Sequence, residues 1–88
     1  MYIHLGQETV VKSNDVIGIF DIESTTVSKY TRKFLEQSEK KGEIITVSYE
    51  LPKSFIICNK QKSKKNKVFI SQISPITLLK RSEFIEKF

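Results

Sequence analysis

The stretch that most limits what this chain can become runs from Lys53 to Ile73, KSFIICNKQKSKKNKVFISQI. Two apolar runs, Ser54–Cys58 and Val68–Ile73, flank a segment that carries Lys60, Lys62, Lys64, Lys65 and Lys67 and no acid. Phe55, Ile56, Ile57, Val68, Phe69 and Ile70 are the β-branched and aromatic types that suit a pleated, buried surface, so each run predicts a strand. The cationic segment between them cannot bury itself, which puts it in solvent at the tip of a hairpin. The remaining elements must be arranged around that hairpin, and any contact with a polyanion begins at its tip.

Read in order, Tyr2–Leu5 alternates and ends at Gly6, a first strand and turn, and Thr9–Lys12 makes a second short strand. Ser13-Asn14-Asp15 supplies turn chemistry before Val16–Ile22, a run apolar on both faces that predicts a strand covered on both sides. Gly18 within it predicts close approach by a neighbouring element. Ser24, Thr25 and Thr26 are available as N-caps for a helix ending at Gly42, with Val27, Tyr30, Phe34 and Leu35 as its apolar stripe. Lys40 and Lys41 suit the negative end of its dipole, and Gly42 its left-handed cap. Ile44–Glu50 alternates as a strand, and Leu51-Pro52 turns the chain into the hairpin. Ser74-Pro75 opens a second helix, with serine as N-cap and proline in the first turn. The predicted order is β-β-β-α-β-β-β-α: an α+β domain over residues 1–88 with a mixed or antiparallel sheet and two helices.

Eighty-eight residues bury a limited fraction of their surface, so self-association is an expected source of stability. The net charge of +5 conceals an asymmetry. Residues 1–50 carry six basic and eight acidic side chains, whereas residues 51–88 carry nine basic and two acidic. A localised positive field of that kind draws polyanions, nucleic acid first among them; the bland reading is a solvated surface. No apolar run is long enough to span a membrane, and the N-terminus lacks the pattern of a signal peptide, so the chain reads as cytoplasmic.

Catalytic constellations are absent. The three glycines are scattered and form no phosphate-binding loop. Cys58 and His4 are the chain's single cysteine and single histidine, so no cysteine-based or histidine-rich metal site can be written. Cys58 ends an apolar strand and reads as a buried structural cysteine; a Cys/His pair has no further support. His4 reads as a partly buried structural residue. Asp21 and Glu23 make a divalent-ion pair or, more commonly, a helix start. No enzyme, cofactor or metal is expected. The lysines remain: along a phosphate backbone they supply affinity and register without reading bases. Only Arg32 and Arg81 are available for bidentate guanine contacts, and both fall on predicted helices. Phe55 and Phe69 would stack on bases only if exposed, and burial in strands is their expected state. Anionic lipid would attract the same lysines, but no apolar face or lipidation signal accompanies them, so this reading ranks below nucleic acid.

The pattern YIHLG, VVKSNDVIGIFD, LPKSFII and ISQISPITLLKR resembles the small bacterial Rem-type extracellular matrix regulators, and the B branch more than the A branch through YIHLG and IGIFD. The resemblance covers Met1 to about Arg81. It implies a cytoplasmic protein of Gram-positive-type bacteria linked to biofilm matrix genes. It also implies a fold similar to LytTR DNA-binding domains and assembly into a closed ring that binds DNA. In the A branch, arginines just before the third and fifth strands carry DNA contact. Here the first place holds Asn14 and Asp15, with Lys12 the nearest cation. The second holds Leu51, Pro52 and Lys53, of which only Lys53 is positive. The expected DNA-contacting set is therefore Lys12, Lys53, Lys60, Lys62, Lys64, Lys65 and Lys67. The partners are double-stranded DNA, met through its backbone, and further copies of the chain; the competing reading is an oligomeric scaffold or protein-interaction module that binds no DNA.

Overall fold

The computed structural model describes residues 2–25, 28–59 and 65–86. These form β1 (Tyr2–Gly6), β2 (Thr9–Lys12), a 3-10 turn (Ser13–Asp15), β3 (Val16–Asp21), α1 (Ile22–Thr25), α2 (Lys29–Lys40), β4 (Ile44–Thr46), β5 (Ser54–Cys58), β6 (Lys67–Ser71) and α3 (Pro75–Glu86). The α+β class and the mixed sheet are as the sequence predicts. The hairpin β5–β6 supplies the two middle strands of a sheet ordered β3-β5-β6-β4. Its pairs are antiparallel except β4 with β6, which is parallel. The position follows from composition: Phe55, Ile56, Val68 and Phe69 are all buried, and a strand with neighbours on both edges is where such side chains lose most water.

Ile56 lies opposite Phe69, and both join Ile3, Leu5, Val47, Cys58 and Leu78 in the main core. That face is covered by a separate two-stranded sheet, β1 with β2, and by α3, which packs on β1 and β3. Two hydrogen bonds hold the cover in place. Ser71 Oγ donates to the Leu5 carbonyl at 2.6 Å, and Arg81 Nη1 donates to the His4 carbonyl at 2.8 Å. Phe55 and Val68 alternate to the other face of the sheet.

Several expectations change. The first predicted helix divides into α1 and α2, giving three helices rather than two. Asp21 Oδ1 accepts from the amides of Glu23 and Ser24 and caps α1, which is the helix-start role open to that acid pair. The cap of α2 is Ser28, whose hydroxyl accepts from Tyr30 N at 3.2 Å, and not Ser24 or Thr25; Thr26 and Val27 lie outside the described residues. Tyr30 is exposed, so the inward stripe is Thr31, Phe34, Leu35 and Ser38, at i, i+3, i+4 and i+7. Gly42, at φ +70°, is the left-handed cap as predicted. Ser74 Oγ accepts from Thr77 N ahead of α3, also as predicted.

The run from Val16 is a strand, but an edge strand with Ile17 exposed, not one covered on both sides. The close approach at Gly18 comes from within its own strand. A Cβ there would stand 2.6 Å from the Phe20 ring, which stacks on Phe55 with centroids 5.0 Å apart. The strand predicted over Ile44–Glu50 stops at Thr46. Val47 N still reaches the Ile70 carbonyl at 2.9 Å, and then Ser48 Oγ captures Glu50 N and the chain leaves the sheet. His4 is exposed rather than partly buried, and its Nε2 lies 2.7 Å from the Gln7 carbonyl.

Candidate nucleic-acid interface

The β5–β6 ladder ends with Cys58 opposite Lys67. Asn59 Nδ2 donates to Asn66 Oδ1 at 2.7 Å, and Asn59 N to the Asp15 carbonyl at 2.9 Å. These bonds fix where the lysine-bearing segment leaves the sheet. Lys60, Lys62 and Lys64 lie outside the described residues. Lys65 and Lys67 are exposed.

Beside this end of the sheet lies a groove of about 730 Å³. Its lining includes Val10, Val11 and Lys12 of β2 and Ile45, Phe69 and Cys58 of the main sheet. Lys12, Lys65 and Lys67 stand on its lining together with the acids Asp15 and Glu43. Three of the expected cations thus meet in one place, although Lys12 is more than fifty positions from Lys65 and Lys67 in sequence. The cause is β2, which folds back over the sheet and is tied to it through β1 and Ser71. The sequence presents Lys41 only as a complement to the helix dipole. It is the C-terminal cap of α2 and exposed, and it adjoins Gly42 on the same groove. No spacing in the sequence connects it to the hairpin.

Lys53 is not part of this cluster. It precedes β5, its N–H donates to the Ser71 carbonyl, and its carbonyl accepts from Ile22 N. Five residues along β5 separate it from Cys58, roughly 16 Å at about 3.3 Å per residue. Lys40 pairs with Glu36 at 3.6 Å, and both side chains are largely exposed, so that pair is worth little.

Cys58 is buried in the core beneath the groove. Burial pushes its thiol from 9.0 to about 11; Asp15 raises it further, and Lys67 opposes. At neutral pH almost no thiolate exists, so the side chain behaves as the small apolar residue the sequence predicts. Phe55 and Phe69 are buried and unavailable for stacking on bases. Among the described residues, no group of three or more His, Cys, Asp or Glu side chains could hold a metal ion. No helix among them is long and apolar enough to cross a membrane.

The family model for RemA-like proteins, described as extracellular matrix regulatory protein A-like, matches residues 2–81. This chain belongs to that family. Extracellular matrix regulatory protein B of Bacillus subtilis (strain 168) is 32% identical over 85 residues, covering 97% of this chain and 94% of that protein. The resemblance to the B branch therefore holds over nearly the full chain. The name of the family is that of a regulator and not of a catalysed reaction. In this Rem-type chain, the turn containing Asn14 and Asp15 sits beside the groove, and the Leu51-Pro52-Lys53 segment sits at the far end of β5.

Proposed function

We propose that the chain is a cytoplasmic, homo-oligomeric regulator of extracellular matrix (biofilm) genes that binds double-stranded DNA through its phosphate backbone. The observation that carries this reading is the convergence of Lys12, Lys65 and Lys67 at one end of the sheet, in a family named for matrix regulation. Lys60, Lys62 and Lys64 fall in sequence between β5 and β6 and complete the proposed set, while Lys53 offers a separate contact. Lysine ammonium groups release counterions from a phosphate backbone without reading bases, so specificity on this reading comes from DNA shape and from repetition over several copies.

The test is fluorescence anisotropy of a labelled duplex across a salt series. We compare the wild type with the triple variant Lys12→Gln, Lys65→Gln, Lys67→Gln. Each lost phosphate contact lowers the salt slope by about 0.9, so the variant should lose about 2.7 per protomer. An unchanged slope, or no binding by the wild type at low salt, overturns the proposal. It would favour the second reading, a scaffold or protein-interaction module. That reading has its own support in Tyr49 and Leu51, two large apolar side chains left in water on one loop.

A further inference from the structure

Helix α2 turns Phe34, Leu35 and Ser38 inward and packs on β4. Its other side carries Lys29, Arg32, Lys33, Glu36 and Lys40, all exposed. Their positions, i, i+3, i+4, i+7 and i+11, fall on one face of a helix. Residues 29–35 hold three of these cations and no acid. Positive charge at that end of a helix works against the dipole, so helix stability does not account for the cluster. Lys29, Tyr30, Arg32 and Lys33 rim a depression of about 570 Å³, and Lys29 Nζ stands 5.7 Å from the centroid of the Tyr30 ring. Glu36, the one acid on that lining, pairs with Lys40 at 3.6 Å. Among the described residues, neither Lys29 nor Lys33 forms an ion pair.

The far end of α2 meets the groove. Its C-terminal cap, Lys41, adjoins Gly42 and Glu43 on the groove lining, where Lys12, Lys65 and Lys67 also stand. A helix of 12 residues is roughly 18 Å long at about 1.5 Å per residue. The helix is thus a rod with cations gathered at both ends. The B-form major groove is about 12 Å wide, so a rod of this length laid across it reaches phosphates on either side. Other anionic surfaces fit less well. Protein interfaces are depleted in lysine and built around an apolar centre, and an anionic bilayer needs an apolar face to hold a helix. Tyr30 is the only side chain with an apolar body on the lining of this depression.

We propose that the outward face of α2 is a second DNA-contacting surface, in which Lys29, Arg32 and Lys33 meet phosphates on one side of the major groove while the lysines at the other end of α2 meet phosphates across it. The inference rests on the DNA-binding reading above and adds to it a surface separate from the hairpin. Lysine and arginine on phosphate oxygens position a protein without reading bases. The second cluster therefore contributes affinity, and with the first it fixes the direction of α2 on the duplex.

The experiment measures duplex anisotropy across a salt series on the full chain and compares wild type with Lys29→Gln/Arg32→Gln/Lys33→Gln. Glutamine forms helix about as well as lysine or arginine, and the change removes positive charge from the end of α2 that disfavours it. The variant should therefore keep its fold, which thermal unfolding checks; Lys29→Gln and Lys33→Gln alone, at about 0.9 each, serve if it does not. We expect the triple variant to lose about 2.7 in salt slope per protomer, and a similar further loss when Lys12, Lys65 and Lys67 are also replaced. Lys80→Gln, at an exposed position on α3, controls for net charge and should leave the slope unchanged. A slope lowered by the groove variant and not by the α2 variant overturns this inference while leaving DNA binding at the groove intact, and gives the face to another partner such as an acidic protein. A loss from Lys80→Gln as large as that from one α2 cation overturns it too, because the effect is then one of net charge. A wild type that binds no duplex at low salt overturns the DNA reading itself and this inference with it.

Discussion

Replacing Ser71 by alanine should separate the stability of the whole fold from the placement of the candidate site. Ser71 is fully buried at the end of β6. Its hydroxyl donates to the Leu5 carbonyl at 2.6 Å and accepts from Ile73 N at 3.1 Å. Alanine removes one oxygen and leaves almost no cavity, so the cost is that of the stranded partners. A buried carbonyl without its donor costs about 1–3 kcal/mol, and the second bond adds about 1 kcal/mol. The expected loss is about 2–4 kcal/mol, a large share of the roughly 5–15 kcal/mol that holds a domain together. With a urea m-value near 1 kcal/mol/M, the low end for small proteins, the midpoint falls by about 2 M or more at fixed protein concentration.

A control identifies which part loosens. Ser54 lies opposite Ser71, is equally buried, and donates to the Ile73 carbonyl at 2.8 Å. Its bond does not reach the β1–β2 hairpin. Ser54→Ala should therefore lower global stability while β1 and β2 amides keep their protection relative to the main sheet. Ser71→Ala should release those hairpin amides first in hydrogen exchange and so weaken the hold on Lys12. A Ser71→Ala protein within about 0.5 kcal/mol of wild type, or equal loss of hairpin protection in both variants, would refute the idea that this bond docks the hairpin.

Gly18→Ala should lower the thermal midpoint by about 5–15 °C, from about 1–3 kcal/mol of overpacking. Its Cβ would stand 2.6 Å from a Phe20 ring pinned by stacking on Phe55, and an unchanged midpoint would count against that stack. The Cys58 thiol, raised from 9.0 to about 11 by burial and Asp15, keeps its proton in the folded state where the unfolded chain gives it up. Stability should accordingly fall between about pH 9 and about pH 11, by at most about 2–3 kcal/mol, and urea titrations of Cys58→Ala across that window should show a shallower decline than wild type.

What could be read from the residues alone follows the range of the forces involved. The β5–β6 hairpin, the Ser74-Pro75 helix start and the Gly42 cap are local. β-branched and aromatic composition, cap chemistry and left-handed backbone decide each within a few residues. The edge position of β3 is not local. A run such as VIGIFD looks the same whether the fold covers both faces or leaves one edge free. The break between α1 and α2 escaped for a related reason. Several serines and threonines in succession offer equivalent caps, so the residues alone do not single out Ser28. Among the site residues, Lys65 and Lys67 followed from the hairpin. Lys12 came only through family resemblance, and its place beside them depends on β2 folding back over the sheet. Lys53 shares their charge but was carried to the other end by the length of β5.

On the proposed reading, a chain with two arginines would rely on lysine for phosphate contact. The structure gathers Lys12, Lys65 and Lys67 at one end, and three backbone contacts per copy would support only weak, salt-sensitive binding. Affinity by repetition requires neighbours held in fixed relation, which means a surface for association distinct from the side chains that meet phosphate. The Leu51-Pro52-Lys53 segment, where the family resemblance expects an arginine-rich run, lies at the opposite end of β5 and keeps one cation, Lys53.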